Sequence, residues 1–127
     1  MILGAMQSVD EKFRRGCEQF NACEFFEAHE TWEDIWLTAA EPEKTFLQGI
    51  IQVSAAFHHF RRGNRAGAQS LLNAGLRKLE QFPGEYRGLQ LEALRATARI
   101  WTEMFAAGKE PGSHALPRIK WGRHRLT

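Results

Sequence analysis

A chain of 127 residues with 43% hydrophobic and 25% charged side chains is the size of one ordinary domain, able to bury roughly two-thirds of the surface its unfolded form exposes. That composition excludes disordered, collagenous and membrane-spanning classes, and no run of about 18 apolar residues or basic-then-apolar leader is present, so a cytoplasmic address without membrane attachment is expected. The net charge of +2 is unevenly spread: residues 1–108 hold 12 basic and 14 acidic groups, residues 109–127 five and one.

The cysteines, Cys17 and Cys23, support neither a disulfide framework nor a cysteine-based zinc site, and buried free thiols are expected. The basic end, with Arg118, Lys120, Trp121, Arg123 and Arg125, could touch nucleic acid. Such ends are more often simply solvated, and nucleic-acid binding is not expected.

The first element runs from Asp10 to about Phe20, where Phe13, Cys17 and Phe20 share one helical face. Asn21 breaks it, and a second helix spans Glu24 to Leu37 without Gly or Pro. Thr38 to Pro42 reads as a turn, Pro42 suiting the first turn of a third helix whose positive end favours Glu41 and Glu43. That third helix reaches about Arg62 and stops at Gly63-Asn64, a C-terminal glycine followed by an N-cap asparagine. The fourth spans about Arg65 to Gln81, with a stripe of Ala68, Leu71, Leu72, Leu76 and Leu79 and with Gly75 on the same face. Phe82-Pro83-Gly84 ends it, and the fifth, about Leu89 to Ala107, repeats Leu91, Leu94, Ala98, Trp101 and Phe105 in steps of three and four.

No segment alternates with period two, so no strand is predicted, and no fixed repeat is evident. The expected architecture is an all-α, single-domain bundle of about five helices over residues 1–108. A punctuated basic tail follows over 109–127, from which Leu116, Ile119 and Trp121 could pack back onto the body.

The third helix holds no formally charged residue from Phe46 to Phe60, and apolar side chains cover most of its circumference. That is the pattern of a central, buried helix. Gly49 inside it is read as permitting close contact with a neighbouring helix. Its polar residues Gln48, Gln52 and His59 fall within about 40° on a helical wheel. With no Lys, Arg or Glu along that stripe, it is expected to face inward. On the second helix His29 falls beside Trp36 and Phe25, while Glu33 falls between His29 and the pair Phe26 and Leu37. A carboxylate among such neighbours is expected to be at least partly buried, and then needs a partner; His29, one turn away, is in reach.

Phe20-Asn21, Phe26-Glu27-Ala28-His29-Glu30, Glu33, Trp36, Phe46-Leu47-Gln48-Gly49-Ile50, His59 and Arg61-Arg62-Gly63-Asn64 together resemble the bacterial and archaeal family catalogued as domain of unknown function 309. The likeness runs from about Phe13 to Asn64. It implies an all-helical fold and a shared polar pattern falling here on His29, Glu33, Trp36, Phe46, Gln48, Gly49 and His59, but no reaction. His29-Glu30 also begins the zinc-protease pattern H-E-x-x-H, yet position 33 holds Glu where the second histidine belongs.

Three readings of the cluster stand side by side: a structural hydrogen-bond network, a pocket for a small polar ligand, and a site for a divalent metal. If chemistry occurs, His29, Glu33 and His59 are the catalytic candidates, and the same three would ligate a metal. Gln48, Gln52 and Trp36 would contact a ligand. The competing class is a non-catalytic helical scaffold or interaction module in which the cluster only fixes the second helix against the third. A homo-oligomer is compatible with either.

Overall fold

The computed structural model describes residues 8–112 and 114–122. Five α-helices run in the order expected: α1 Val9–Asn21, α2 Phe25–Trp36, α3 Glu43–Arg61, α4 Arg65–Leu79 and α5 Leu91–Ala106. The described residues are all-α but for one tiny ribbon between α4 and α5, β1 Glu85–Tyr86 paired antiparallel with β2 Leu89–Gln90. This ribbon was not expected, because two residues a side are too few to show alternation. It exists because Arg87 and Gly88 both take positive φ, 55° and 82°, the backbone of a tight two-residue hairpin.

The helix ends follow from local chemistry. Ser8 and Glu11 form a reciprocal capping box at α1. Gly63 turns the chain at φ 85° and Asn64 Oδ1 then accepts from Gly67 N at 3.0 Å, so α3 reverses into α4 within three residues. Glu41 Oε1 accepts from both Thr45 N and Thr45 Oγ1, at 3.0 and 2.7 Å, ahead of α3.

α3 is the axis of the bundle. Phe46 meets Phe13 of α1, Phe57 meets Phe25 of α2 and Trp101 of α5, and Ser54 Oγ donates to Phe25 O at 2.7 Å. Against α4 the approach is closer: a β-carbon at Gly75 would lie 2.8 Å from Gly49 O, and one at Gly49 3.3 Å from Gly75 O. Two glycines facing each other let the backbones touch. In α1, Gly16 leaves room for the Trp32 indole, which donates to Phe13 O at 3.1 Å.

After α5 the chain returns across α1. Asn21 Nδ2 donates to Ile119 O and Asn21 Oδ1 accepts from Ile119 N, at 2.9 and 2.7 Å, and Ile119 is buried. Trp121 bridges Leu89 and sets its ring 6.4 Å from that of Phe13. Leu116 packs against the core and Trp101 Nε1 donates to Ala115 O. Arg123 and Arg125 lie outside the described residues. Arg87 secures the hairpin, donating to Glu43 and Asp10 at 2.8 Å each with its guanidinium over Phe13.

Candidate functional site

The buried stripe of α2 is Phe25, Ala28, Trp32 and Ile35. Positions 29, 33 and 36 flank it, and their exposure increases with distance from its centre line. His29 keeps 24% of its side-chain exposure and Glu33 keeps 48%, with His29 Nε2 3.8 Å from Glu33 Oε2. The expected burial of Glu33 is therefore corrected: this is a loose pair at the surface. The neighbours that suggested burial, Phe26 and Leu37, are themselves 43% and 63% exposed. An apolar side chain beside a polar one does not locate the core.

His59 does not face α2 either. Its Nδ1 lies 3.1 Å from Asn64 Nδ2 at the turn into α4. The histidine that reaches α2 is His58, whose ring stands 5.2 Å from Phe26, itself 5.8 Å from His29. Burial pushes the His58 imidazole below its ordinary value, and Arg62, His59 and His29 push the same way. The wheel groups His59 with Gln48 and Gln52 and sets His58 about 100° away, and it is the side of His58 that α2 occupies. His29, Glu33 and His59 are thus not assembled around one point. Among the described residues, no group of three or more His, Cys, Asp or Glu is placed to share a metal ion.

Gln48 and Gln52 are half-buried rather than turned into the core. The absence of charge on their stripe misled, because the charges come from other positions: Lys78 of α4 donates to Gln52 Oε1 at 3.1 Å, and Lys44 belongs to the first turn of α3. Lys44 Nζ lies 4.2 Å from the centroid of the Trp36 ring and donates to Trp36 O at 3.3 Å. The result is an open groove of about 240 Å³ lined by Trp36, Glu41, Lys44, Thr45, Gln48 and Lys78.

Trp36 lines this groove, while its Nε1 is buried and, among the described residues, has no hydrogen-bond partner, a state that ordinarily costs about 1–3 kcal/mol. Glu41 at the rim is already engaged: its two bonds from Thr45 hold its carboxyl below the ordinary range, with a smaller push from Lys44. A second groove, about 310 Å³, opens at the start of α2 between Cys23, Phe26, His58, Arg61 and Arg62. Arg61 is spent there on Cys23 O at 2.7 Å.

Residues 13–71 match the family described as Domain of unknown function (DUF309). The DUF309 match takes in every residue of the groove except Lys78, and all of the polar residues singled out in the sequence. An uncharacterized protein of Aquifex aeolicus (strain VF5) is 31% identical over 103 residues, 80% of this chain and 29% of that protein. The uncharacterized protein YpuF of Bacillus subtilis (strain 168) is 34% identical over 68 residues, 53% of this chain and 37% of YpuF. The chain therefore spans about a third of the length of these curated relatives. No helix among the described residues is long and apolar enough to cross a membrane.

Proposed function

We propose that this chain is a helical binding module whose ligand, a small polar molecule, occupies the groove between the end of α2, the start of α3 and α4. The observation that carries the reading is a groove of about 240 Å³ in which Trp36, Gln48 and the half-buried Lys44 and Lys78 line one surface. Trp36 and Gln48 are the ligand contacts, and Gln52 acts only through its bond from Lys78. His29 with Glu33, and His59 with Asn64, hold the flanking helix and turn in place.

The test is nuclear magnetic resonance of the indole N–H signals of the full chain, with Trp36→Phe to assign the Trp36 signal, while a set of small polar fragments is added. At least one fragment is expected to move the Trp36 signal saturably and to lose affinity in Gln48→Ala. Fragments that leave the Trp36 signal still, or that bind Trp36→Phe equally well, would remove the groove as the site.

A further inference from the structure

The hydrogen-bonding capacity of this groove is lopsided. Lys44 and Lys78 each carry three N–H donors and no acceptor. Each lysine shows one bond, Lys44 to Trp36 O and Lys78 to Gln52 Oε1. The acidic group in the lining, Glu41, has one carboxylate oxygen taken up twice by Thr45 and stands exposed at the rim. Donors therefore outnumber free acceptors inside the groove.

The charges are equally one-sided. Lys12, Arg65, Arg87, Arg95 and Arg99 each have a carboxylate within salt-bridge distance. Among the described residues Lys44 and Lys78 have none; an aromatic face and an amide oxygen stand in its place. Both are half-buried, where an unpaired ammonium gains most from an anion. A ligand that only accepts, and is negative, matches both imbalances.

On the reading that the groove is a ligand site, we infer that it is specific for a small oxyanion, a free carboxylate or phosphate, held by Lys44 and Lys78 beside the Trp36 ring. The volume of about 240 Å³ lies below the usual range for drug-sized ligands, which favours a small free acid over a bulky one. Gln48 supplies a neutral contact and sets orientation rather than charge preference.

The experiment uses the full chain and three probes: succinate, inorganic phosphate, and succinamide as the uncharged counterpart of succinate. Wild type and the Lys44→Gln, Lys78→Gln double variant are titrated while the Trp36 indole signal is followed, the other three indole signals and the far-ultraviolet circular dichroism reporting that the fold is intact. Succinate or phosphate is expected to shift the signal saturably, to bind at least about tenfold more weakly in the double variant, and to exceed succinamide clearly. Equal binding by succinamide, or anion binding unchanged in the double variant, overturns the inference while leaving the groove as a ligand site. If none of the three moves the signal the inference also falls, and the groove reading falls with it only when the fragment set is silent as well.

Discussion

Arg95 is 6% exposed, yet its guanidinium is fully engaged: Nη1 donates to Leu79 O and Phe82 O at 2.6 and 2.7 Å, and Nε to Glu92 Oε1 at 2.9 Å. It adds a bond to Leu79 O, which also accepts from Phe82 N at 3.1 Å, and caps Phe82 O just beyond α4. Arg95→Ala is expected to cost about 3 kcal/mol in a urea titration, since charge-assisted hydrogen bonds to both carbonyls are lost from a buried side chain. Glu92 is held below the ordinary carboxylate range by hydrogen bonds from Arg99 and Arg95. Its folded carboxyl is depressed, so its contribution is present at neutral pH and disappears as the pH falls through its lowered value. Sequence pattern could not single out Arg95, because on a wheel it is one more charge on α5 and its burial depends on where another helix stops. The same ignorance of neighbours misplaced Glu33. The expected buried thiol holds for Cys17, which burial pushes up to about 12, but not for Cys23, which is only half-buried.

Helices were legible because their periods and punctuation are local. Gly63-Asn64 named the turn between α3 and α4, and the uncharged run from Phe46 to Phe60 named α3 as the core helix. What spacing could not supply was which side of α3 each neighbour occupies, so the half-buried strip of Gln48 and Gln52 was taken for an interior one and Lys78, brought in by α4, was missed. The facing glycines of α3 and α4 set that pairing. Gly75→Ala would ordinarily strengthen a helix by about 1 kcal/mol, but here the added carbon meets Gly49 O at 2.8 Å and Val53 at 3.1 Å. A net loss of about 2 kcal/mol is expected from overpacking. Gly49→Ala meets mainly the flexible end of Leu79 and is expected to lose less. Thermal unfolding of the two variants side by side checks the order.

Residues near the two ends of the described chain complete one another. Ile119, 3% exposed, fills a place in the core beside α1, and its backbone is held by both ends of the Asn21 amide. Ile119→Ala is expected to cost about 3 kcal/mol, within the range for truncating buried aliphatic side chains, in a denaturant titration followed by fluorescence. The packing of Ile119 and Trp121 was foreseeable as apolar residues in a polar stretch; the Asn21 partner of Ile119 was not, because 98 residues separate the two. The edge-to-face contact of Trp121 with Phe13 ties the last described segment to the first helix, so the emission of that indole reports whether the segment stays seated: unseating it would bare the ring to water and shift its light to the red while the helices remain.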